Sequence, residues 1–126
     1  MVVPSVANLI LDRRRGETEM AAMNNHDDVG REQIRALLAG GLGTEAYPRA
    51  DTHEQVQEFV RRLQEGGKDL AAKLVISGFT LRPVQHHDVV QSCRSCMYYL
   101  IRRRHCALPE LDVPVEPNWS CRLWRI

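Results

Sequence analysis

Four cysteines, the only ones in this chain, fall in its last third as Cys93, Cys96, Cys106 and Cys121, spaced C-x2-C-x9-C-x14-C. The stretch that carries them is a poor candidate for an ordinary core. It has few large aliphatic side chains, and Pro109, Pro114 and Pro117 interrupt regular structure between the last two cysteines. A C-x2-C pair folds into a tight turn that brings two sulfurs to one side, with backbone amides pointing toward them. Four soft ligands within 29 residues are what a tetrahedral zinc ion or an iron–sulfur cluster requires. A bound group would also supply folding free energy that the segment lacks, about 10 kcal/mol or more for a structural ion. Metal and fold are therefore expected to be coupled.

The spacing also bears on which metal. Structural zinc sites commonly present two knuckles, with a second C-x2-C or H-x3-H answering the first. Here the second half is two lone cysteines, so the ligands arrive from separate loops, as they would around a larger cubane. That favours a [4Fe–4S] cluster, with zinc as the alternative. His86 and His87 precede Cys93, and His105 adjoins Cys106; any of them is a formal substitute in a Cys3His site, and surface residues are the plainer reading.

The segment SCRSCMYYLIRRRHCALPELDVPVEPNWSCRLW resembles the cluster-binding region of high-potential iron–sulfur proteins. The likeness lies in a C-x2-C pair followed by aromatic residues, a lone cysteine in a short apolar stretch, a valine, and a tryptophan beside the fourth cysteine. It is similar also to the small cluster-bearing accessory subunits of glycyl-radical enzymes. The resemblance implies that Cys93, Cys96, Cys106 and Cys121 each ligate one iron, and that Tyr98, Tyr99, Trp119 and Trp124 wall the cluster from water. It covers only residues 92–124, with a shorter gap between Cys96 and Cys106 and with Ser120 between Trp119 and Cys121. These features fit an accessory module better than an exported electron carrier.

Charge is unevenly spread. Residues 1–88 carry 11 basic and 13 acidic side chains, residues 89–126 carry 6 and 3. Arg94, Arg102, Arg103, Arg104, Arg122 and Arg125 would be drawn together if the tail folds around a metal. Such a patch suits an anion or nucleic acid, while the plainer role is to offset the negative charge of four thiolates. The chain contains no G-x4-G-K-[ST], G-x-S-x-G or H-E-x2-H pattern, so no catalytic role is expected. No apolar run is long enough to span a bilayer, and the N-terminus has no secretion-signal pattern. The expected setting is cytoplasmic, where clustered thiols stay reduced.

The rest of the chain reads as helix. Residues 1–28 are expected to be a poorly ordered leader, with a brief helix after Ser5 and internal methionines Met20 and Met23. Residues 29–80 are expected to form a helical unit of about three short helices. In the first, Asp28 caps a stripe of Ile34, Leu37 and Leu38 that stops at Gly40 and Gly41. The second runs from about Thr52 to Glu65, with Asp51 or Thr52 as cap and Val56, Phe59, Val60 and Leu63 on one face. A third starts at Asp69 and ends at Gly78, pairing with the second as a hairpin. Residues 81–126 form a small irregular β module stapled by the four cysteines, including a short strand over 98–101. The fold class is thus α+β. The helical stripe is broad for so small a core, which leaves room for a protein partner or homo-oligomer to complete it.

Overall fold

A computed structural model describes residues 25–126, and the expectations for the leader over residues 1–24 lie outside it. The fold is α+β, with three helices and two small antiparallel sheets among the described residues. Helix α1 occupies 25–39, α2 His53–Gly66 and α3 Leu70–Ser77. Strands β1 (Val84–His86) and β2 (Val89–Gln91) form a hairpin. A 3₁₀ turn over Cys93–Ser95 follows. Strands β3 (Tyr99–Leu100), β4 (His105–Cys106) and β5 (Val113–Pro114) make the second sheet in the order β3-β4-β5. Among the described residues, no helix is long and apolar enough to cross a membrane.

The helix ends follow their sequence signals. Thr52 accepts from the Gln55 amide while the Gln55 side chain reaches back to the Thr52 amide, a complete capping box that satisfies otherwise unpaired donors. Asp69 caps α3 through the Ala71 amide at 3.1 Å. Gly78 closes α3 at φ 65°, a left-handed conformation. A side chain there would also collide with the backbone carbonyl of Glu45, so the 42–50 loop can lie against the helix end only because residue 78 is glycine.

The first helix departs from expectation. It begins before Asp28, which sits within it and pairs with Arg31 at 2.7 Å instead of capping the start. Gly30 has weak helix propensity, but here it lets the Pro114 ring pack against α1: a β-carbon at residue 30 would lie 2.7 Å from Pro114 Cγ. Tertiary contact thus extends the helix. Leu37, assigned to the buried stripe, is exposed, whereas Ile34 is fully buried.

One core joins the helices to the cysteine-bearing tail. Ile34, Phe59, Leu63 and Leu74 belong to the same cluster as Leu108, Leu111, Val113, Val115, Trp119 and Leu123. Each fully buried leucine contributes about 1.5–3 kcal/mol. α2 and α3 pack on each other as the expected hairpin. α1 instead grips the tail with polar side chains. Arg31 donates to the Val115, Arg103 and Arg104 carbonyls at 2.9, 2.7 and 2.8 Å, and buried Asp27 accepts two bonds from Arg103 at 2.9 and 3.2 Å.

Burial pushes the Asp27 carboxyl up, but the hydrogen bonds and charge of Arg103 outweigh this and hold it below its ordinary 3.8. A carboxyl lowered by folding stabilises the protein above its unfolded pKa and loses that contribution as pH falls through the folded value. Arg103→Ala should therefore cost about 1–3 kcal/mol at pH 7 by stranding a buried carboxylate. The deficit should shrink near pH 3, because burial without Arg103 favours the protonated carboxyl. Urea unfolding at the two pH values measures this, and an equal deficit at both would contradict the assignment.

Candidate metal centre

The four cysteines reach one cavity from three pieces of chain. Ser92 leads into the 3₁₀ turn that carries Cys93, and Cys96 closes it with its amide on the Cys93 carbonyl at 3.0 Å. The turn is sewn to the segment before the fourth cysteine: the Cys93 amide donates to Trp119 O at 2.7 Å and the Arg94 amide to Pro117 O at 3.0 Å. Cys106 ends β4, paired across the sheet with Tyr99 on one side and Val113 on the other. Cys121 follows Ser120, which bridges to Thr80. The chain then turns back, and Arg125 O accepts from the Met97 amide at 2.7 Å, returning the C-terminus to the first knuckle.

The cavity is small, with room of about 20 Å³. All four cysteines line it together with Tyr98, Tyr99, Trp124 and a set of aliphatic and aromatic core residues that includes Phe79, Leu108, Leu111, Val115 and Leu123. All four thiols are free. Among the described residues, the only group of three or more metal-ligating side chains whose donor atoms lie within 4.8 Å of one another is Asp51, His86 and His87. No three of the sulfurs are that close. Zinc–sulfur bonds of about 2.3 Å in a tetrahedron would bring sulfurs about 3.8 Å apart. The thiols therefore surround a common space without converging on a single-ion position.

Burial pushes the Cys106 thiol up to about 12. It raises Cys93 and Cys121 too, and for Cys93 the neighbouring cysteines add to the effect. Against this, the Leu108 amide bonds to Cys106 and the Leu123 amide to Cys121, each favouring the thiolate. Buried, raised thiols are poor nucleophiles and become ligands only when a metal displaces their protons.

Of the shielding residues expected from sequence, Tyr98, Tyr99 and Trp124 line the cavity, with Trp124 Nε1 donating to Ser95 Oγ at 3.0 Å. Trp119 is buried but does not line it, and Arg35 lies over its ring at 5.6 Å. The aliphatic wall had no distinct signal, because Leu111 and Val115 sit in the proline-rich stretch that reads as irregular loop. The six arginines have different surroundings. Arg94 and Arg102 are exposed, Arg103 pairs with Asp27 and Arg104 with Glu116, and Arg125 donates weakly to Ala50 O. Arg122 is fully buried, donating to Ile76 O at 2.8 Å with its guanidinium 3.6 Å from the Phe59 ring centre. His105 is buried and bonded to Asp112 at 2.7 Å, because alternation along β4 sends it to the face opposite Cys106.

Sequence reasoning missed Arg49. It is 2 % exposed and donates to Gln91 Oε1 at 2.7 and 3.0 Å, Cys121 O at 2.8 Å and Ala46 O at 3.1 Å. It holds the loop of the fourth cysteine against the strand that leads to the first. No protein-family model, curated protein or solved structure matches the chain.

Replacing Arg49 by Leu leaves the Gln91 and Cys121 acceptors buried without donors, at an expected cost of about 3 kcal/mol or more in urea unfolding. Arg49→Lys should recover only part of it, since one ammonium cannot span both acceptors. Full stability of the Leu variant would show that Arg49 does not hold this loop.

Proposed function

We infer that this protein carries a [4Fe–4S] cluster in the cysteine cavity, for electron transfer to a protein partner or for structural support of one. The observation that carries the reading is the convergence of four thiols on one apolar cavity while their sulfurs stay farther apart than a single ion would hold them. The residues fit such a group. Cys93, Cys96, Cys106 and Cys121 would supply the four thiolates, and the Leu108 and Leu123 amides would disperse their charge. Tyr98, Tyr99, Trp124, Leu111 and Val115 exclude water, which protects a cluster from oxidative loss and helps to set its potential. When bound, the cluster supplies one-electron chemistry; the chain itself holds and shields it. The resemblance of residues 92–124 to the cluster segment of high-potential iron–sulfur proteins points the same way.

Zinc and nucleic acid are less well supported. A closed zinc site needs the sulfurs nearer to one another than they are, and binding to phosphates needs the arginines on one free surface. Arg122 is instead buried, while Arg103 and Arg104 are paired with carboxylates.

Protein purified without oxygen should be brown, with a broad absorbance near ~400 nm and about four iron and four sulfide per chain. Cys106→Ala and Cys121→Ala should each abolish the colour and most of the iron, since the tail has no spare ligand in the cavity. Colourless protein with one zinc per chain, or variants that keep full iron content, would overturn the reading.

A further inference from the structure

His86 and His87, formal substitutes for a cysteine ligand by sequence, do not line the cysteine cavity. They meet Asp51. His86 Nε2 lies 2.9 and 3.1 Å from the two Asp51 carboxylate oxygens, and His87 Nε2 lies 3.7 Å from Oδ2. The two imidazole rings stand 4.0 Å apart between centres, and one donor atom from each of the three residues falls within 4.8 Å of the others.

Adjacent residues seldom point the same way. In an extended strand they face opposite sides, so two neighbouring histidines would normally diverge. Here His86 ends β1, while His87 and Asp88 form the two-residue turn to β2 with φ of 51° and 63°. Both turn residues thus adopt the left-handed conformation of a type I′ turn, where Asn-Gly is the favoured pair. The change of backbone hand at His87 swings its ring onto the side of His86. The carboxylate comes from elsewhere in the fold: Asp51 stands just before the α2 cap, its amide donating to Gln55 Oε1 at 2.9 Å and to Arg49 O at 3.0 Å.

The geometry points to a second metal site, in which Asp51, His86 and His87 together bind a divalent ion of the zinc class, independently of the cysteine cavity. An ion bonded to nitrogen and oxygen at about 2.0–2.2 Å sets tetrahedral ligand atoms about 3.3–3.6 Å apart, and the observed separations of 2.9 and 3.7 Å bracket that range. Two imidazoles with one carboxylate select borderline transition ions over magnesium or calcium, which take oxygen ligands. His86 is the inner ligand and His87 the outer, with side chains 20 % and 77 % exposed. Water would therefore complete the coordination on the outer side. The ion would clasp the β1–β2 hairpin to the start of α2, two parts of the chain that also meet through Arg49 and Gln91.

The test is Zn2+ binding by the full chain, followed by equilibrium dialysis with metal analysis and by thermal unfolding with and without added zinc. Asp51→Asn and His87→Asn are the variants, because asparagine tolerates the left-handed turn while removing the imidazole. Wild type should take up one more zinc per chain than either variant at micromolar free zinc, and its melting temperature should rise where theirs does not. Affinity at this site should fall by about tenfold or more in each variant, at least the loss that removing a supporting group outside the ligand set brings. The thiols are unchanged in all three proteins, so metal in the cysteine cavity cancels in the comparison. Equal zinc uptake and equal thermal shift in wild type and His87→Asn, or no zinc bound by wild type beyond the cysteine cavity, would overturn the site.

Discussion

Buried arginine donors hold this fold together. The tail from residue 92 onward runs mostly as turns and two-residue strands, so many of its carbonyls have no ladder partner, and a buried carbonyl without a donor is costly. Arg31 from α1 covers the Val115, Arg103 and Arg104 carbonyls. Arg49 from the loop before α2 covers Cys121 O. Arg122 works in the opposite direction, from the tail to Ile76 O at the end of α3. Arginine suits the task because its planar head offers five donors in a fixed fork and stays charged when buried.

This bracing explains how a loop-built cavity can hold a defined shape. Cys93, Cys106 and Cys121 lie on separate short elements, none of which would be rigid alone. The first is tied to the segment before the last by the Cys93 and Arg94 amides, and the last is tied to the 42–50 loop by Arg49. Two of the cavity's lining residues, Leu111 and Leu123, belong to the same core as Leu63 and Leu74 of the helices. Dry walls and amide-to-sulfur bonds are the two means by which a protein shields and tunes a bound cluster. The amides come from Leu108 and Leu123, two residues after Cys106 and Cys121, while the walls also draw on more distant residues such as Phe79 and Val115.

Much of the local structure was legible along the chain. The Thr52–Gln55 capping box, the Asp69 cap, the left-handed Gly78 and the Phe59–Leu63 stripe are short-range patterns whose physics lies within a few residues. The start of α1 was not legible, because Gly30 argues against helix until Pro114, 84 positions away, is seen packed on it. Arg122 read as surface charge for a similar reason: only the assembled fold offers it Ile76 O and the Phe59 ring. The β1–β2 turn carries His87-Asp88 where a glycine would announce it, so the meeting of two histidines there had no local signal.

By itself the sequence determined which side chains are available for metal chemistry, that four thiols come from one knuckle and two separate loops, and where most helices begin and end. These depend on residue type and near spacing. Only the tertiary structure decided that the thiols surround an apolar cavity at more than single-ion separation, that Arg31, Arg49 and Arg122 brace buried carbonyls, and that Asp51 meets His86 and His87. Each of these joins residues distant in sequence, and their distance is set by how the helices and loops pack, a property that no window of sequence contains.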